Sequence, residues 1–164
     1  MKTASIILVL AILLTGLMAG IFFTWSNAVK PGIGKLSDIE YLKALQSMNR
    51  VILNNTFKFI FAGSILCVLL VPLFYLNLYP KNIFWLLALI SLIYLVGVFI
   101  LTLKGNIPLN EILDKTNLES ISVQEVANLR TSIESKWNSL NLIRCISSAI
   151  TFLLLTISFL FLNK

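Results

Sequence analysis

The 164-residue chain is 58% hydrophobic and only 12% charged, with a mean hydropathy of +0.92, which excludes an ordinary soluble domain and points to an integral membrane protein. Thirteen Lys and Arg against seven Asp and Glu give a formal charge of +6, but the bases are scattered, which argues for membrane-surface electrostatics and against nucleic acid as a partner. Histidine is absent and the only two cysteines, Cys67 and Cys145, lie in apolar runs, so haem, zinc, iron and copper sites lack their usual ligands and neither metal nor cofactor is expected.

Residues 3–29 carry no charge, more than a span needs, and the first span is expected over residues 3–25. The opening SIILVLAILLTG after Met1-Lys2 is signal-like, with Ser26-Asn27-Ala28 as a cleavage site, but the run exceeds a signal core and other spans follow, so a retained helix is expected. Gly16 and Gly20 form a GxxxG face for close helix approach. Pro31, Gly32 and Gly34 are read as a break, after which Ser37-Asp38-Ile39-Glu40 forms a capping box that opens an amphipathic helix over residues 38–53.

Asn54-Asn55-Thr56 predicts a bend before a second span, residues 57–79, in which Pro72 predicts a kink. The connection from Tyr79 to Asn82 is so short that the third span, residues 83–103, must be the antiparallel neighbour of the second. Asn106-Ile107-Pro108-Leu109-Asn110 is read as a turn, because Pro108 lacks its donor and restricts Ile107. A second capping box, Ser122-Val123-Gln124-Glu125, opens an amphipathic helix over residues 122–141 that leads into the last span, residues 143–162.

The fold class is therefore all-α: one membrane domain over residues 1–164, an integral membrane four-helix bundle with extra amphipathic helices in the first and third connections. Both termini share one side and both long connections share the other, with all seven acids and ten of the thirteen bases. Sidedness stays open. The basic count favours cytoplasmic connections, whereas Lys2, Lys81 and Lys164 on the short segments favour the reverse.

Glu134, Trp137 or Asn138, Asn141 and Arg144 share one helical face, with Ser148 a turn further on. No acid occurs inside any apolar run, so a buried Arg144 needs carbonyls, amides, Glu111 or Glu134 from the connections, or an anionic ligand; near the surface it would snorkel to headgroups instead. Asn106 and Asn110, with Asn138 and Asn141, offer amides that either hold a ligand oxygen or tie irregular backbone to neighbouring helices. Trp137 and Trp25 are placed to stack on a planar ligand or to anchor at the interface, and Asn49-Arg50 to close the same pocket. No nucleophile–base pair, carboxylate dyad, phosphate loop or metal motif is present.

The stretches LMAGIFFTWSNAVKPGIGKL, LKALQSMNRVILN, GNIPLNEIL and KWNSLNLIRCISS, in this order and spacing, resemble the anthrone oxygenase-like family of small integral membrane proteins. The resemblance covers almost the whole chain. It implies a pocket between the first and third connections and, by analogy with fungal members, oxidation of anthrones to anthraquinones without metal or organic cofactor. Carried over by position, it implicates Asn49, Arg50, Asn54, Asn106, Pro108, Asn110, Trp137, Asn141 and Arg144. The chain departs from the pattern at Asn55, where many relatives place proline, and in lacking histidine near the last motif, which excludes an imidazole base and leaves Glu134 or Glu111.

The combined expectation is a ligand-binding, multi-pass protein of the bacterial cytoplasmic (inner) membrane, a cofactor-free oxygenase acting on a planar phenolic or quinone-like ligand. Arg144, Asn141 and Asn106 would do the chemistry, and Asn49, Arg50, Asn54, Asn110, Trp137 and Asn138 would bind. The rival expectation is a non-enzymatic structural, lipid-binding or assembly subunit. Membrane lipid is a partner in either case, and self-association stays open.

Overall fold

The computed structural model describes residues 2–162, all α- or π-helix apart from short turns and caps, so Met1 and Lys164, which entered the sequence reading, lie outside the described residues. The first rod is α1 (Lys2–Thr24), a π-helical turn (Trp25–Val29) and α2 (Lys30–Ile33) in succession. Next come α3 (Asp38–Ile52) and α4 (Asn55–Tyr75). The third rod runs from α5 (Lys81–Tyr94) through two π-helical segments (Leu95–Ile100 and Thr102–Asn106) into α6 (Ile107–Lys115). Last is α7 (Val123–Leu162), one unbroken helix of 40 residues. Lys2–Ile33, Asn55–Tyr75, Lys81–Lys115 and Val123–Leu162 are each long and apolar enough to cross a membrane, and the chain is an integral membrane protein.

The structure corrects the reading of the two prolines as chain breaks. Before each one the helix opens by one residue: Lys30 N–H bonds the Trp25 carbonyl just before Pro31, and Ile107 N–H bonds the Thr102 carbonyl just before Pro108. A π-turn absorbs the donor that proline lacks, so each rod continues for another turn or two. Beyond α2 and α6 the helices end in turns over residues 34–37 and 116–122. Each π-turn also rotates the following residues by about 100°, re-aiming the side chains at the end of its rod.

Pro72 is accommodated differently. Its missing N–H leaves the Val68 carbonyl without its helical donor, and the Ser91 hydroxyl from α5 supplies one at 2.7 Å.

The spans close into a ring in which α1 packs against α4 and α7, and α5 against the same two helices. Leu8, Met18, Val68, Leu87, Ile90 and Leu155 fill its centre, while Leu13, Leu17, Phe59, Leu66 and Leu89 point outward to the lipid. Between helices in a bilayer, close fit replaces the hydrophobic drive. Gly16 accordingly lies under the Phe152 ring, Gly63 against Leu14, and Gly97 against Ser147. Gly20 faces open space, so only one glycine of the GxxxG pair serves packing within the chain.

A second core lies beyond the spans, where Tyr41, Leu42, Leu45, Leu113, Leu118, Val126 and Ile133 bring α3, α6 and the first half of α7 together. Both capping boxes form: the Ser37 hydroxyl and backbone donate to Glu40, and those of Ser122 to Glu125. Arg130 fastens this cap to the first rod, donating to Glu134 at 2.8 Å, Asp38 at 3.0 Å and the carbonyls of Leu36 and Gly34. The cavity described next sits at the junction between the two cores.

Candidate functional site

Four helical turns of α7 point one stripe inward: Trp137, Asn141, Arg144, Ser148 and Thr151 are all buried. Their spacing follows from helical geometry, and because α7 is straight through the cap and the membrane, the stripe carries polarity from one core into the other. Arg144 is only 5% exposed, so it does not snorkel.

Its guanidinium is held without a carboxylate. Nη2 donates to Asn141 Oδ1 at 3.0 Å and Nη1 to Thr102 Oγ1 at 3.4 Å, while Nε has no partner. The Phe22 ring lies 4.5 Å from the guanidinium carbon and the Trp137 ring 5.3 Å, a cation–π setting that disperses charge without neutralising it. Among the described residues no ion pair involves Arg144. The two acids named from the sequence are engaged elsewhere: Glu134 with Arg130 and Glu111 with Lys115, and neither lines the cavity. A buried cation without an anion is costly unless something else answers it.

The π-turns position what surrounds it. Asn141 Nδ2 donates to the Phe22 carbonyl at 3.1 Å and to Ser26 Oγ at 3.0 Å, both at the first π-turn. Asn106, the last residue of the π-turn before Pro108, is 1% exposed and donates to the Trp137 carbonyl at 3.4 Å, leaving its Oδ1 unpartnered. One turn on, Asn110 Oδ1 accepts from Trp137 Nε1 at 2.7 Å and from Asn49 Nδ2 at 3.1 Å, joining α6, α7 and α3 through a single atom. Trp25 packs against Trp137 with ring centroids 4.3 Å apart, its Nε1 donating to Asn138 Oδ1 at 2.9 Å.

These groups enclose one end of a cavity of about 380 Å³. The volume falls in the range of small-molecule sites. Polar groups gather at the buried end with Arg144, Asn106 and Asn141, whereas Phe57, Phe61, Ile52 and Leu53 make the remaining wall apolar.

Of the residues singled out from sequence, the structure brings Trp25, Asn49, Asn106, Asn110, Trp137, Asn141 and Arg144 to this cavity. Arg50, Asn54, Pro108 and Asn138 are not among its lining. Arg50 points outward to Asp114 at 2.5 Å, Asn54 caps α4 by accepting from Phe57 N–H at 2.9 Å, and Asn138 faces Trp25. Neighbouring positions on a helix diverge by about 100°, so of Asn49 and Arg50 only one can face inward. Phe22, Thr102 and Lys58 line the cavity but were missed. Phe22 and Thr102 each lie four residues before Ser26 and Asn106, a helical spacing that could have found them.

Outside the spans, burial and then the charge of Glu134 push the Tyr41 phenol up to about 12.

No match to the chain was found among curated proteins or solved structures. A family model described as anthrone oxygenase matches residues 48–154, well over half of the chain, including Asn49, Asn106, Asn110, Trp137, Asn141 and Arg144. With that match running from the end of α3 through α4 and the third rod to the cavity stripe of α7, the chain belongs to the anthrone oxygenase family.

Proposed function

We propose that this protein binds a planar phenolic or quinone-like molecule in the cavity and oxidises it with molecular oxygen, as a cofactor-independent oxygenase of the bacterial cytoplasmic membrane. The observation that carries the reading is Arg144: a buried guanidinium with no carboxylate, at the closed end of an aromatic-walled cavity. An anthrone that loses a ring-methylene proton becomes an electron-rich enolate, and a cation in a water-poor site favours that anion. The enolate carbon takes up dioxygen. Loss of water from the resulting hydroperoxide leaves a carbonyl, so one anthrone and one dioxygen yield one anthraquinone and one water. Arg144 supports the developing oxyanion, Asn106 and Asn141 fix its surroundings, and the Trp25–Trp137 pair supplies an aromatic wall. No carboxylate lines the cavity, so a water molecule beside the substrate takes the methylene proton.

A second reading is favoured by one observation: Asn141 and Asn110 already have their hydrogen bonds in ties between helices, as in a structural or lipid-binding subunit. Purified protein in lipid nanodiscs, given anthrone under air, separates the two. Oxygen uptake equal to anthraquinone formed, and reduced about a hundredfold by Arg144→Gln, is expected. An active preparation that Arg144→Gln leaves unchanged would overturn the assigned role, and retained phospholipid with no turnover would favour the second reading.

A further inference from the structure

The cavity's exposed lining is confined to one place. Ile52, Leu53, Lys58 and Ala62 are exposed, whereas Phe22, Asn49, Thr102, Asn106, Asn141 and Arg144 on the other elements are buried. The exposed set occupies the end of α3 and the first two turns of α4, on either side of the bend at Leu53-Asn54. Exposed residues there mix apolar Val51, 70% exposed, and Phe59, 73%, with polar Asn54, Asn55 and Thr56. Such a face belongs at the boundary between headgroups and acyl chains.

The lining holds two cations, Lys58 at the exposed end and Arg144 at the buried end, and no acid. Neither cation takes part in an ion pair among the described residues. The rest of the lining is aromatic, aliphatic or neutral and polar. A low-dielectric cleft lined by one sign of charge concentrates ligands of the opposite sign.

We propose that the ligand enters sideways from the bilayer through the corner between α3 and α4, as a membrane-partitioned organic anion that Lys58 captures and Arg144 seats. The inference rests on the cavity being the ligand site, as in the function proposed above, but not on oxygenation. Lys58 is then a specificity residue: it selects an acidic group on an otherwise apolar, planar body and shortens the charge's stay in hydrocarbon. The anion chemistry fits either a free organic acid or a lipid phosphate, and the cavity's aromatic walls favour the former.

The test uses the full-length protein in nanodiscs and reads energy transfer from Trp25 and Trp137 to anthracene probes, corrected for probe uptake by empty nanodiscs. Anthracene-9-carboxylate is expected to bind about tenfold more tightly than its methyl ester. Lys58→Gln should weaken the carboxylate by about threefold to fivefold, leave the ester unchanged, and be rescued by Lys58→Arg. Lys58 is exposed, so these variants test the inference without disturbing the core. Equal binding of carboxylate and ester, or equal weakening of both by Lys58→Gln, would overturn the inference while leaving the proposed function standing. Displacement of the carboxylate by phosphatidylglycerol added to the nanodisc would assign the corner to a lipid headgroup and also overturn it. Failure of every probe to bind would overturn both readings together.

Discussion

Arg144 donates to the amide oxygen of Asn141 at 3.0 Å, and that amide's nitrogen is engaged with the Phe22 carbonyl and the Ser26 hydroxyl at the first π-turn. Asn141 therefore sets where the guanidinium lies by referring it to α1. Asn141→Leu keeps the side chain's branched shape but removes all three bonds, and is expected to lower stability by about 1–3 kcal/mol. Thermal unfolding in detergent checks this, and turnover should fall further than the stability change alone accounts for.

Trp137→Phe isolates the amide node of the site. The ring still packs on Trp25, but Asn110 Oδ1 loses its 2.7 Å donor and retains only Asn49. A loss of about 1 kcal/mol in unfolding free energy is expected, with the larger effect on ligand affinity, measured by titration of any bound aromatic.

How much of this was legible follows helical spacing. Trp137, Asn141 and Arg144 lie on one regular helix, so their shared face could be read directly from positions three and four apart. The four spans were equally plain, because each contains a long uncharged run. The π-turns were not, since an extra residue in a helix has no composition of its own; the prolines that follow them look like breaks. Lys58 escaped attention for a related reason: a lysine in the first turn of a span normally snorkels to the surface, and its place in the cavity lining shows only once the helices are packed. Arg50 beside Asn49 was implicated with its neighbour, although a helix sends the two in different directions.

Close helix approach at Gly97 gives an independent check on the fold. A Cβ there would overlap the side chain of Ser147 on α7. Gly97→Ala is expected to destabilise the protein by about 1–3 kcal/mol, and the double variant Gly97→Ala, Ser147→Gly to recover much of that loss, in the same thermal unfolding assay.

Stability should depend on alkaline pH through Tyr41. Its folded-state pKa, about 12, lies above the ordinary phenol value of 10, with burial and then Glu134 as the causes. The contribution is fully present below pH 10 and is lost as pH rises from there through 12. Tyrosinate absorbance and unfolding followed together over that window check it. Tyr41→Phe should remove this part of the pH dependence while changing stability at neutral pH by less than about 1 kcal/mol, because the buried hydroxyl has no partner to lose.

The account depends most on the buried end of the cavity receiving a ligand oxygen. A structure of the protein in lipid with an anthraquinone bound tests this directly. The expected result is a quinone oxygen within about 3 Å of a guanidinium nitrogen of Arg144, with the ring plane against Trp137. A quinone bound elsewhere, with Arg144 still contacting only Asn141 and Thr102, would contradict it.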